Sequence, residues 1–257
     1  MSAGGEKIAA AILAAKKAGR SAIAAYLTAG FPSRGEFDGL LRDAAGAAEV
    51  IEVGVPFSDP IADGVTIQDS SRIALAGGAT LAWALETLAA ARTALAVPVV
   101  VMSYLNPLLA YGLRSLVRDA AEAGVSGLIV PDLPLEEQAL LSPALGDKGL
   151  ALIQMTTPAT PSHRLTRIAA SGEGFVYAVT VAGTTGGRLE RDGGLVDYLE
   201  RVRAAAAAPV LAGFGVRVRE DVASVVPPAD GVVVGSALIA AIARGERPSR
   251  FLKGLRP

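Results

Sequence analysis

The stretch Glu49-Val50-Ile51-Glu52-Val53-Gly54-Val55-Pro56-Phe57-Ser58-Asp59-Pro60-Ile61-Ala62-Asp63-Gly64 joins a short apolar run to a loop dense in turn formers, with one carboxylate inside the run. An apolar run such as 50–53 suits a parallel strand covered on both faces, and Gly54, Pro56, Pro60 and Gly64 then supply the turn chemistry of a loop. Farther on the chain is rich in Ala, Leu, Arg and Glu and has helical character. The same unit recurs along the chain. Apolar runs at 22–27, 50–53, 97–102, 127–130, 150–155, 175–179, 210–212 and 232–234 make eight. Helical stretches follow them at 34–48, 71–95, 108–123, 135–147, 162–171, 195–207, 219–226 and 237–244, and one more, 6–18, precedes the first strand. Gly77-Gly78 divides 71–95 into two helices, and Gly19, Gly124 and Gly245 stand where helices end.

Eight strand–helix units in 257 residues, without a long linker or a Pro/Ser-rich break, predict one α/β domain over residues 1–257. The economical solution is a single (β/α)8 TIM barrel with an extra N-terminal helix. A doubly wound open sheet is the alternative. Its glycine-rich dinucleotide turn is missing, because the first strand runs into Thr28-Ala29-Gly30-Phe31-Pro32.

Composition removes several functions. With 24 Lys and Arg against 25 Asp and Glu, the net charge of -1 speaks against a nucleic-acid backbone binder. There is no cysteine, so disulfides, iron–sulfur clusters, thiolate zinc sites and a Cys nucleophile are excluded. One histidine, His163, cannot form a metal-binding cluster; it reads as a solvated residue in the first turn of a helix capped by Ser162. The five lysines fall in helical or terminal segments, which leaves no candidate for a buried Schiff base. The apolar stretch 8–15 ends at Lys16-Lys17, too short to span a bilayer, so the expected setting is cytoplasmic, with no membrane partner.

In such a barrel, chemistry gathers at the C-terminal ends of the strands. Strand alternation puts Glu52 on the face of Val50 and Gly54 and opposite to Ile51 and Val53. If that face is the barrel interior, burial raises the carboxyl pKa, as a proton shuttle near neutrality requires. The alternative is a Glu paired with an arginine on the helix-facing side. Asp59 and Asp63 suit turn or N-cap roles, although Asp63 also brings a second carboxylate over the barrel mouth.

The last three strands lead into glycine-containing segments: 182–187, Gly213-Phe214-Gly215, and Gly235-Ser236 opening a helix. Small residues and a helix N-terminus at these positions predict a phosphate site built mainly from backbone N–H groups. Tyr26, Tyr104, Tyr177 and Phe214 are core residues by default and together could line a slot for a flat ring.

The string from Glu52 to Gly64 resembles the signature of the tryptophan synthase α chain family. The likeness extends over nearly the whole chain, through Tyr26–Pro32, Met102-Ser103-Tyr104-Leu105-Asn106-Pro107, Pro131-Asp132-Leu133-Pro134, Gly213-Phe214-Gly215 and Val234-Gly235-Ser236-Ala237. It implies retro-aldol cleavage of indole-3-glycerol phosphate to indole and glyceraldehyde 3-phosphate, with no metal or cofactor in this chain. It further implies a β-chain partner that carries pyridoxal phosphate, in an α2β2 complex. Residue by residue, Glu52 matches the acid/base, Asp63 the carboxylate that binds the indole N–H, and Tyr177 a tyrosine near the glycerol chain. Gly186, Gly215, Gly235 and Ser236 match the phosphate site, and Ile129 joins the pocket with Tyr26, Tyr104 and Phe214. Asp59 and Thr185 lie on two loops, 56–63 and 184–191, that resemble those closing over substrate and facing the partner. Val65 and Val181 depart from the family's Pro and Arg. Three other readings stay open: a different phosphate-binding barrel enzyme, a stand-alone indole-releasing lyase, and a mainly non-catalytic activator of the β chain.

Overall fold

The computed structural model describes residues 1–180, 193–213 and 215–257. Helix α1 (Ala3–Lys17) leads into β1 (Ala22–Thr28), α2 (Arg34–Ala45), β2 (Val50–Gly54), α3 (Val65–Ala76), α4 (Leu81–Ala91) and β3 (Val99–Met102). Next come α5 (Leu105–Tyr111), α6 (Leu113–Glu122), β4 (Val125–Ile129), a 3₁₀ segment (Leu135–Leu140), α7 (Ser142–Asp147) and β5 (Ala151–Thr156). The chain continues with α8 (Ser162–Ala170), β6 (Val176–Val179), α9 (Gly193–Ala205), β7 (Val210–Gly213), α10 (Arg219–Val225), β8 (Gly231–Val234), α11 (Ser236–Ala243) and α12 (Pro248–Gly254). The strands close a parallel barrel in the order β1 to β8, and β8 pairs back to β1.

The register says which side chains fill the barrel. Tyr26 pairs with Glu52 and Glu52 with Val100, so these three point the same way. Alternation places Thr28, Gly54 and Met102 on that face too, one step nearer the C-terminal ends of their strands. Around the ring Met155 pairs with Tyr177, Tyr177 with Leu211 and Gly213 with Val233. This is the interior. Ile51 and Val53 point to the opposite face and are also buried, as a doubly covered parallel strand demands.

Helix α1 forms because Ser2 Oγ accepts the Gly5 N–H (3.2 Å), Glu6 and Lys16-Lys17 match the helix dipole, and Ile8, Ile12 and Ala15 form one buried stripe. It touches β1, β2, β4 and β5, strands from opposite sides of the ring, and so lies across the N-terminal end of the barrel.

The predicted strands agree with the observed ones to within two residues, and Gly19, Gly124 and Gly245 take φ of +71°, +77° and +77° after their helices. The helices depart more. The predicted 71–95 helix starts six residues early, at Val65, since Gly64 supplies an extended N-cap. The predicted 108–123 helix is two helices, broken where Gly112 adopts φ +88°, a conformation that favours glycine. The predicted 135–147 helix begins as a 3₁₀ segment. Ser162 is the first residue of α8, not its cap; Pro161 holds that position in extended conformation. His163 is exposed. Helix α12 is seven residues long, with Pro at its first position, and no sequence pattern anticipated it. No single helix among the described residues is long and apolar enough to cross a membrane.

Candidate active site

One cavity at the C-terminal mouth of the barrel gathers Tyr26, Glu52, Met102, Tyr177 and Val233 from strand interiors and Asp63 and Ile67 from the segment after β2. Its far wall is Gly215, Val216 and Arg217 after β7 and Gly235, Ser236 and Ala237 after β8. Glu52 therefore faces the interior, not an arginine on the helix side. It is 1% exposed, and its Oε2 has no hydrogen-bond partner among the described residues. Burial, and then the nearby charge of Asp63, push its pKa up to about 8.

Asp63 is also buried, which raises its pKa to about 6, while a hydrogen bond from Tyr104 works the other way. Its backbone is held as well, since Gln68 Nε2 donates to the Asp63 carbonyl (2.7 Å). The two carboxyls are thus set apart, Glu52 holding its proton to higher pH than Asp63. That is the arrangement of a proton donor beside a fixed anion.

The tyrosines need room. A Cβ at Gly54 would stand 2.2 Å from the Tyr26 hydroxyl, and one at Gly213 would stand 2.3 Å from the Tyr177 ring. The absence of side chains at these two strand ends lets both rings lie across the barrel. Thr28 Oγ1 and Ser70 Oγ share a hydrogen bond (2.7 Å) that ties the end of β1 to α3 behind Tyr26.

On the opposite wall, Gly235 precedes α11, Ser236 is its first residue, and Gly215 has φ +79°. A helix N-terminus with small residues around it can accept an anion through backbone N–H groups. Arg217 adds a cation that sequence reading missed, although it stands only two residues beyond Gly215. Met102 and Val233 were also missed, and strand alternation could have found them.

The other predicted residues fall as follows. Tyr104 stands outside the lining, just behind Asp63, with its ring 5.4 Å from that of Phe57. Ile129 faces the interior beside Met102 but does not line this cavity. Asp59 is exposed and accepts a hydrogen bond from Ser58 Oγ. Thr185, Gly186 and Phe214, with Val181 and the 184–191 loop, lie outside the described residues.

The model of the family described as tryptophan synthase alpha chain matches residues 12–253. A tryptophan synthase alpha chain of Bacillus cereus is 44% identical over 230 residues, 89% of each chain. One from Bacillus mycoides is 43% identical over 230 residues, again 89% of each. Among solved structures, tryptophan synthase of Mycobacterium tuberculosis superposes with a TM-score of 0.90 at 34% identity, covering 97% of this chain and 96% of that one. Tryptophan synthase subunit alpha from Legionella pneumophila gives a TM-score of 0.87 at 30% identity, covering 99% and 97%. An eight-stranded barrel with two carboxyl groups buried at its mouth, matched in sequence and in fold over nearly its whole length, belongs to the tryptophan synthase alpha chain family.

Proposed function

We propose that this chain is the lyase subunit that cleaves indole-3-glycerol phosphate to indole and glyceraldehyde 3-phosphate. The observation that carries the reading is the shared cavity: the buried carboxyl groups of Glu52 and Asp63 stand on one side, and Gly215, Gly235 and Ser236 on the other.

The roles follow from the chemistry. Glu52 gives its proton to the ring carbon that bears the glycerol chain, and positive charge develops on the ring nitrogen. Ionised Asp63 accepts the ring N–H and stabilises that charge. The Glu52 carboxylate then takes the proton of the adjacent side-chain hydroxyl. As the carbon–carbon bond breaks, its electron pair returns to the ring, an aldehyde forms, and Glu52 is protonated again. Tyr26 and Tyr177 flank the reacting carbons. The phosphate sits on the N–H groups around Gly215, Gly235 and Ser236, with Gly186 expected from the loop after β6. The Arg217 side chain supplies charge at the mouth.

The reading needs no cofactor in this chain. It places pyridoxal phosphate in a β-chain partner within an α2β2 assembly, which receives the indole; a cytoplasmic location goes with it. Ile61 and Val65 on the segment after β2, Leu109 on α5 and Leu140 after β4 are exposed apolar residues on three successive units of the barrel, and support docking there. Asp59 lies on the same segment.

Indole release from indole-3-glycerol phosphate by the purified chain, with and without a β chain, tests this. Slow release alone, a large gain with partner, and loss in Glu52→Gln and Asp63→Asn support the subunit reading. Full speed without a partner would turn it into a stand-alone lyase. No release by folded protein in either condition would overturn the enzymatic reading.

A further inference from the structure

We propose that the groove on the outer side of Arg217 is a second phosphate site, taken by the phosphate end of glyceraldehyde 3-phosphate as that product leaves the catalytic cavity. It rests on the reading above, in which the substrate phosphate sits around Gly215, Gly235 and Ser236.

The two spaces adjoin. Arg217, Ser236 and Ala237 line the catalytic cavity and also line a groove of about 340 Å³ outside it. The groove exists because one face of α11 is nearly bare. Leu238, Ile239 and Ile242 are buried in the core, whereas Ala237 and Ala240 are half-buried one helical turn apart. Arg244 follows a turn later on that same face. Helix α3 borders the groove with Thr66 and α12 with Phe251, and both helices pack on α11.

Its chemistry suits a phosphate monoester. Two guanidinium groups from separate elements, Arg217 after β7 and Arg244 at the end of α11, line one space, with the Thr66 and Ser236 hydroxyls beside them. Each guanidinium can hold phosphate oxygens through paired N–H donors. The turn that carries Arg217 is fixed, because Asp221 Oδ2 accepts the Arg217 N–H (2.8 Å) and the Val218 N–H (3.0 Å). Glu246 Oε2 stands 3.9 Å from Arg244 Nη2, but the Arg244 side chain is 65% exposed, and so loose a surface pair does not withhold it from an anion. Both arginines are exposed, so the hold is weak and salt-dependent, as a station on the way out requires. When the carbon–carbon bond breaks, the phosphate end already stands at the wall opposite the carboxyls. It then reaches the groove past Ser236 and Ala237 without crossing to the carboxyl side.

The test is a titration of the full chain with inorganic phosphate, followed by phosphorus NMR, beside inhibition of indole release by the same ion. Two saturable sites are expected in the parent. Arg244→Glu, an exposed change that keeps the fold, should weaken the outer site at least about tenfold and leave the inner one within about twofold. Ala240→Leu fills the groove floor and should remove the outer site alone, whereas Arg217→Gln should weaken both. Phosphate in the groove blocks departure of the product. Inhibition should therefore lower kcat as well as raise KM in the parent, and become purely competitive in Arg244→Glu. A single site in the parent, or an outer site that survives Arg244→Glu undiminished, would overturn the proposal. No phosphate bound by the folded parent, or no indole released, would instead overturn the reading on which it rests.

Discussion

In the proposed reaction a carboxyl group at position 52 meets opposing demands, because the proton it moves is also one the fold makes it keep. Unfolded, Glu52 titrates near 4.5; inside the barrel it titrates near 8. The folded state therefore binds more protons than the unfolded chain between these values, and stability falls as pH rises through that window. The full shift corresponds to roughly 5 kcal/mol, of which about 4 kcal/mol is lost by pH 8. Glu52→Gln, which cannot ionise, should be more stable than the parent at pH 8 by about that amount and no more stable at pH 4. Urea unfolding across pH checks it, and a difference that stays flat from pH 4 to 9 would refute it. The same values give the activity profile. The proposed reaction needs Asp63 without its proton and Glu52 with one, so kcat/KM should rise through about pH 6 and fall through about pH 8.

Strand ends decide whether those side chains can meet. Gly54 closes β2 and Gly213 closes β7, and each leaves the space into which a tyrosine of the neighbouring strand leans. Gly213→Ala should keep the barrel, at a cost of about 1–3 kcal/mol for overpacking, and displace the Tyr177 ring. Loss of at least tenfold in kcat/KM with native circular dichroism is the expected result. Unchanged kinetics would mean that the ring position does not matter. Strand position was legible in the sequence because apolar runs such as 50–53 have few other uses, and the alternation that hid Ile51 and Val53 from the cavity put Glu52 into it. Helix boundaries were less legible. Position 65 is a valine that is 74% exposed and so belongs to no buried helix face, and the start of α3 follows instead from the Gly64 cap. Contacts between loops were illegible altogether. Nothing in the spacing from Ala62 to Tyr104 announces a hydrogen bond, because it depends on how two units sit side by side in the closed ring. Arg217 was passed over for a different reason: a cation beside glycines reads as a solvated turn until the cavity gives it a direction.

At the scale of the whole barrel, stability and chemistry are placed at opposite ends. Asp230, just before β8, is completely buried and takes Lys16 Nζ of α1 and Arg203 Nη1 of α9, both at 2.7 Å. Its second oxygen also accepts the Val210 N–H at the start of β7 (2.8 Å), and its carbonyl accepts the Ala22 N–H at the start of β1 (3.2 Å). One side chain thus joins the N-terminal helix, a flanking helix and the barrel wall at the end away from Glu52. Asp230→Ala takes a charge from between two cations and leaves a buried N–H without its acceptor. Both cations reach solvent, which softens the loss, so the expected destabilisation is about 2–3 kcal/mol rather than the larger figure for a sealed pair. Indole release by the remaining folded protein should be unchanged at temperatures well below its midpoint, whereas Asp63→Asn should abolish release and leave the midpoint nearly where it was. The contrast is measured by thermal unfolding beside initial rates on the same samples. If Asp230→Ala lowered kcat in fully folded protein, the two ends would be coupled through the strands. The barrel would then transmit strain from its base to its mouth, and division of labour between the faces would no longer describe it.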